Sequence, residues 1–193
     1  LHYSVGDLVR KEIDRNTDLG RLLADNFKTS QVSLDEEVAQ LMISKLIESI
    51  THDKLFIVDG YPRNKASAEK LVQFLRNSKQ SCVVLNLTTS LPKALERISK
   101  RACCTVCSYV HTTENLVCPR CGKDMETRSG DEQEKTIRRT QYYNEHIADV
   151  LKVFKEQEFP VLSYSTDDKS LKDIQEWVHS SISQISLEDG RYS

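Results

Sequence analysis

The sequence predicts an α/β fold in which a parallel sheet is covered by helices on both faces. Three observations carry that expectation. Short runs rich in Val, Ile, Leu or Phe alternate with longer amphipathic stretches along most of the 193 residues, the pattern of strands returning to one sheet through crossover helices. A cysteine-dense segment, 102–127, interrupts the alternation with none of its periodicity. The length suits one domain, or one domain with an insertion, able to bury roughly two-thirds of its unfolded surface.

The elements follow in chain order. Ser4-Val5-Gly6-Asp7-Leu8-Val9-Arg10 reads as a small-residue turn leading into a helix. At 35–50 an acidic start, Asp35-Glu36-Glu37, precedes Val38, Leu41, Met42, Ile43, Leu46, Ile47 and Ile50, whose i, i+3, i+4 spacing makes an apolar stripe. Residues 54–59, 82–87 and 160–164 read as buried strands. Helical patterns follow them at 64–78, 90–101 and 169–185, and a longer one spans about 132–157. No internal repeat or low-complexity linker is visible.

Charge and hydropathy exclude several classes of function. The 27 Lys and Arg nearly balance 29 Asp and Glu with no block of one sign, which argues against a basic nucleic-acid arm or an acidic tail. No apolar run approaches the eighteen or so residues that cross a bilayer. No secretory signal is visible, although the chain opens on Leu1 and not on Met. A soluble protein is expected.

Five of the six cysteines fall within nineteen residues, from Cys103 to Cys121. Cys104-Thr-Val-Cys107 and Cys118-Pro-Arg-Cys121 are two CxxC tips, each able to present two thiolates from a tight turn to one tetrahedral ion. Cys104, Cys107, Cys118 and Cys121 therefore read as a structural zinc site. A closed four-thiolate shell leaves no position for substrate, so such a zinc folds the segment and does no chemistry. The alternatives are disulfides, a redox CxxC, or His111 in place of one thiolate. Cys82 sits in an apolar run and reads as core, and Cys103 has no assigned role. Reduced metal-binding cysteines favour a cytoplasmic protein.

The residues just after strands in such folds are where ligands bind. Asp59-Gly60-Tyr61-Pro62-Arg63 follows one predicted strand and puts an arginine on a stiff turn, and Gly6-Asp7-Leu8-Val9-Arg10 has a similar grammar. Both suit a bound phosphate. A solvated loop arginine is the plain alternative for each. Arg97 and Arg101 precede the cysteine segment, four apart on the expected helix, and Arg128, Arg138 and Arg139 follow it. Either these are ordinary basic faces, or they are guanidinium forks around a transferring phosphoryl group, where catalysis is positioning and charge stabilisation. No histidine has a nucleophile–base context.

Four ordered motifs together resemble the adenylate kinase family of the long, zinc-containing type, over nearly the whole chain. They are Tyr3-Ser-Val-Gly-Asp-Leu-Val-Arg10, Phe56-Ile-Val-Asp-Gly-Tyr-Pro-Arg63, the arginine pair leading into the double CxxC, and Arg128-Ser-Gly-Asp131 followed by Arg139-Thr-Gln-Tyr-Tyr143. The second is close to that family's D-G-[FY]-P-R signature. The resemblance implies a core like that of P-loop nucleoside-triphosphate hydrolases over 1–101 and 128–193, with monophosphate-binding helices at about 5–35 and a zinc lid at 102–127. It implies that Arg10 and Arg63 hold the AMP phosphate, with backbone contacts from Gly60 and Val32. Arg97 joins them in substrate binding. Arg101 would meet the ATP phosphates, Arg128 and Arg139 would close over the reacting groups, and Asp7 and Asp59 would orient water around Mg²⁺. ATP and AMP are then the partners, and a monomer is expected.

Departures from the family pattern qualify this reading. Val5 stands where the family usually has Thr, and Ser67 where it has Gln, both contacts to the AMP base, so base discrimination is weakened. Gly130 stands where the first of two aspartates is frequent, and the link from Cys107 to Cys118 is short for the family. The glycines lie at 6, 20, 60, 122, 130 and 190, so no G-x-x-x-x-G-K-[ST] phosphate loop is present. Without that strand–loop–helix unit the remaining strands should form two pairs with no partner between them, leaving apolar side chains uncovered. An incomplete chain, short of about 25 N-terminal residues relative to the family's opening strand–loop–helix unit, is the expectation. The rival readings are a catalytically dead monophosphate binder and a zinc-ribbon nucleic-acid module. The second is disfavoured by Glu114, Asp124 and Glu126 and by the lack of an aromatic platform.

Overall fold

A computed structural model describes residues 1–29, 35–49, 55–107, 109–112, 116–127 and 132–189. In chain order the described elements are β1 (His2–Ser4), α1 (Val5–Asp14), α2 (Asp18–Thr29), α3 (Asp35–Ser49), β2 (Ile57–Asp59), α4 (Lys65–Asn77) and β3 (Val84–Thr88). Then come α5 (Leu91–Ser99), β4 (Arg101–Cys104), β5 (Val110–Thr112), β6 (Met125–Thr127), α6 (Gln133–Glu156), β7 (Val161–Ser165) and α7 (Leu171–Asp189). The chain divides into two compact units, Leu1–Val84 with Tyr143–Val161, and Leu85–Tyr142 with Leu162–Ser193.

In the first unit β1 pairs with β2 in parallel, His2 opposite Ile57 and Ser4 opposite Asp59. The helices form because their apolar residues recur on one face. Val5, Leu8 and Val9 are the buried positions of α1, and Ala68, Leu71, Val72 and Leu75 those of α4. Met42 and Leu46 of α3 and Val150, Val153 and Phe154 of α6 join the same core. Thr17 starts α2 by accepting the Gly20 N–H at 2.9 Å. A side chain at Gly20 would put its first carbon 2.0 Å from the Glu12 carbonyl oxygen, so α1 and α2 meet backbone to backbone. Asn64 and Ser67 close a reciprocal capping box on α4.

In the second unit β3 lies beside β7. Val84 N–H, at the edge of the first unit, donates to the Pro160 carbonyl and Thr166 N–H, in the second, to the Thr88 carbonyl, both at 2.9 Å, so the pairing advances in the same direction along both strands, as in a parallel pair. Ser170 and Asp173 cap α7, the Ser170 N–H donating to Asp173 Oδ2 at 2.8 Å and the Asp173 N–H to Ser170 Oγ at 3.2 Å. Tyr164 stacks on Trp177 with ring centroids 4.7 Å apart. The cysteine segment forms an antiparallel sheet in the order β5-β4-β6, with Ala102, Cys104, Cys118 and Met125 as its own small core.

The α/β architecture with parallel strands stands as the sequence predicts, and several details differ. The described parallel strands form two separate two-stranded sheets. The strand expected at 54–59 is not buried on both faces. Leu55 and Ile57, two residues apart and so on one face, are 62% and 54% exposed, while Phe56 and Val58 pack on the core. Leu87 of β3 is likewise 44% exposed. The helix expected over 90–101 stops at Ser99 with Lys100 as its cap. Arg101 pairs with Thr112 in β4, so Arg97 and Arg101 share no helix face. Strand β1, three residues long, ends where the sequence suggests only a turn, and α1 and α2 fall within the stretch of helices expected at about 5–35.

Candidate active site

The parallel pairing of β1 with β2 sets the geometry of the first unit. Ser4 and Asp59 are partners at the carboxyl ends of the two strands, so Gly6-Asp7…Arg10 and Gly60…Arg63 leave the sheet side by side, where open α/β sheets bind ligands. Arg10 ion-pairs with Asp7 one turn earlier on α1. Arg63 Nε donates to the Gly60 carbonyl at 2.9 Å, which anchors the base of its fork. Gly60 holds φ at +75°, a conformation side-chain-bearing residues rarely adopt. Asp59 is exposed at the strand end. Val32 lies outside the described residues.

The turn between these groups is fixed from within. Tyr61 is 8% exposed and donates its hydroxyl to the Ser67 carbonyl at 3.0 Å. Burial, and then the charge of Glu36, raise its pKa, so the phenol stays neutral. Glu36 itself is held below the usual carboxylate range by Lys70, its partner across α3 and α4. The Ser67 hydroxyl accepts the N–H groups of Arg63 at 3.2 Å and Asn64 at 3.1 Å and donates to the Asn64 carbonyl at 2.9 Å. It is thus engaged in capping α4. Val5, the other departure from the family pattern, is 3% exposed.

In the second unit Arg97 reaches from α5 to the end of β7, where Nη1 donates to Thr166 Oγ1 at 2.9 Å and Nη2 to the Thr166 carbonyl. Thr166 Oγ1 in turn donates to the Thr88 carbonyl at 3.0 Å. Beside it the Asp167 carboxylate accepts the Ser90 N–H and the Thr89 hydroxyl, each at 2.7 Å. These bonds, the Ser90 N–H first, hold the Asp167 pKa below its ordinary value. Sequence reasoning missed this side-chain lock on the start of α5. Arg101 is half-buried in β4 and Arg139 is exposed on α6. Arg128 lies outside the described residues.

The four predicted metal ligands converge. The sulfurs of Cys104, Cys107, Cys118 and Cys121 lie within 4.8 Å of one another. Cys104 is 3.5 Å from Cys121, Cys107 is 3.6 Å from Cys118, and Cys107 is 3.5 Å from Cys121. A tetrahedral zinc with bonds of about 2.3 Å sets its sulfurs about 3.8 Å apart, and a disulfide needs about 2.05 Å. The set fits a metal ion, and all six cysteines are free thiols. Backbone N–H groups of Cys107 and Val106 point at the Cys104 sulfur and lower its pKa to about 6. Cys82 packs on the first unit's core, where burial pushes its thiol up to about 11.

The family model described as adenylate kinase matches residues 1–159. The chain belongs to the adenylate kinase family. An adenylate kinase of Thermoanaerobacter sp. (strain X514) is 31% identical over 181 residues, covering 90% of this chain and 77% of the relative. That of Acholeplasma laidlawii (strain PG-8A) is 30% identical, with the same coverage of 90% and 77%. That of Borreliella burgdorferi is 32% identical over 139 residues, 69% of this chain and 64% of the relative. In this member of the adenylate kinase family, the match spans both the strand-end arginines and the cysteine cluster.

Proposed function

We propose that the protein transfers a phosphoryl group reversibly from Mg-ATP to AMP. The observation that carries this is the Ser4–Asp59 pairing, which sets the Arg10 and Arg63 motifs side by side in a chain whose family is adenylate kinase. Arg10 and Arg63 would bind the monophosphate, two guanidinium charges against a dianion, with Gly60 and Val32 contributing backbone groups. Arg97 would join in substrate binding, Arg101 would meet the ATP phosphates, and Arg128 and Arg139 would neutralise charge on the moving group. Arg97 would bind while braced on Thr166. Bound magnesium supplies further neutralisation of the phosphates. Asp59 and Asp7 would hold its waters, Asp7 only after parting from Arg10.

Zinc is the metal proposed for the four cysteines, as the staple of the lid. A monomer in the cytoplasm is the proposed setting. No helix among the described residues is long and apolar enough to cross a membrane.

The phosphate loop this chemistry uses is not encoded in the 193 residues, so turnover is assigned to a protein that carries one. The same observation supports a second reading, a monophosphate binder without kinase activity. A coupled assay of ATP-dependent conversion of AMP to ADP, run on a protein that joins a G-x-x-x-x-G-K strand–loop–helix to these residues, decides between them. Turnover supports the kinase. AMP binding without turnover supports the binder.

A further inference from the structure

Both arginines at the carboxyl ends of β1 and β2 lie against glycines. A carbon placed on Gly6 would stand 3.3 Å from Nη1, 3.5 Å from Nη2 and 3.7 Å from Cζ of Arg10. The two Nη atoms are the nearest and Cζ stands behind them, so the outer end of the guanidinium fork lies close over the bare Cα. On Gly60 the same carbon would stand 3.7 Å from Nη2 of Arg63. The backbone explains the glycine at 60, where φ is +75°. It does not explain the one at 6, which has ordinary helical geometry in the first turn of α1, where alanine is the better helix former. The three nearest atoms to that carbon all belong to Arg10.

We propose that Gly6 is a positioning residue for Arg10, a seat that lets the outer end of the guanidinium fork lie close against the first turn of α1, beside Asp7 and level with the Arg63 turn. This inference rests on the monophosphate reading of that site. Its physical content is a coupling. A methyl group at position 6 meets no backbone and shifts the far end of one flexible side chain by a few tenths of an ångström, so any effect on ligand runs through Arg10. A glycine kept for helix packing predicts the reverse, with lost stability and no special link to Arg10.

The test is AMP titration calorimetry on the protein, Gly6→Ala, Arg10→Ala and the double variant, with thermal melting of each. Gly6→Ala is expected to melt no lower than the unsubstituted protein and to bind AMP at least threefold more weakly. In the Arg10→Ala background the same change should have no further effect, because the group it acts through is gone. Unchanged AMP affinity in Gly6→Ala, with Arg10→Ala weakened, overturns the seat and leaves the monophosphate site standing. Losses that add in the double variant overturn it as well, even if Gly6→Ala proves less stable. Arg10→Ala binding AMP as tightly as the unsubstituted protein overturns the monophosphate reading and the inference together.

Discussion

At the residue scale, Ser67 shows how one side chain serves fold and site together. Buried at 4% exposure, it caps α4 and holds the N–H of Arg63. Ser67→Ala should cost about 1 kcal/mol of stability, the usual worth of a cap and a buried hydrogen bond, and should also loosen Arg63. Denaturant unfolding and AMP titration of the variant check both effects. Asp167 makes a pH-dependent case. Its folded pKa is depressed, so its contribution is fully present above the unfolded value of about 3.9. It is lost as pH falls through the lower folded value. Asp167→Ala should therefore flatten the acid limb of the stability curve, measured as unfolding free energy between about pH 5 and 2. If both proteins lose stability in parallel over that window, the cap is not what titrates. The cysteine cluster was legible at this scale because the pairing of thiols on a CxxC turn depends on local spacing. The partner of Arg97 was not, since Thr166 lies 69 positions away.

At the element scale, strands and helices were legible where apolar periodicity ran for several turns, and not where the element was short. Helix α5 ends two residues before the sequence pattern does, because Arg101 to Cys104 are recruited into ladders with β5 and β6. Periodicity carries no information about such distant pairing. The exposure of Ile57 separates two substitutions that look alike in sequence. Met42→Ala, at 1% exposure, should cost about 2–5 kcal/mol by opening a cavity. Ile57→Thr, at 54% exposure, should cost about 0.5 kcal/mol or less. Paired urea melts would show it, and equal losses would mean that Ile57 is covered. For the lid, elemental analysis should find one zinc per chain. Chelation should speed amide exchange in β4, β5 and β6 while leaving α4 protected, because the small core of four residues is too small to hold the segment without the metal.

At the scale of the whole molecule, Leu55 and Ile57 are largely exposed and the described parallel strands form two separate two-stranded sheets. Burying a side chain of that size is worth roughly 1.5–3 kcal/mol. These 193 residues alone should therefore be marginally stable and should show no ATP-dependent formation of ADP from AMP. Turnover by these 193 residues at the rate of ordinary kinases would refute this. The linear order of residues was enough to indicate the family, the four clustered cysteines and the arginines proposed for the site. Each rests on residue identity at short spacing, and spacing survives without a fold. It took the folded chain to show that Ser4 meets Asp59, that Arg97 rests on Thr166, that Arg101 leaves its helix for a strand, and that Gly6 lies under Arg10. Those facts arise from pairing and packing, and no periodicity along the chain encodes which distant groups will meet.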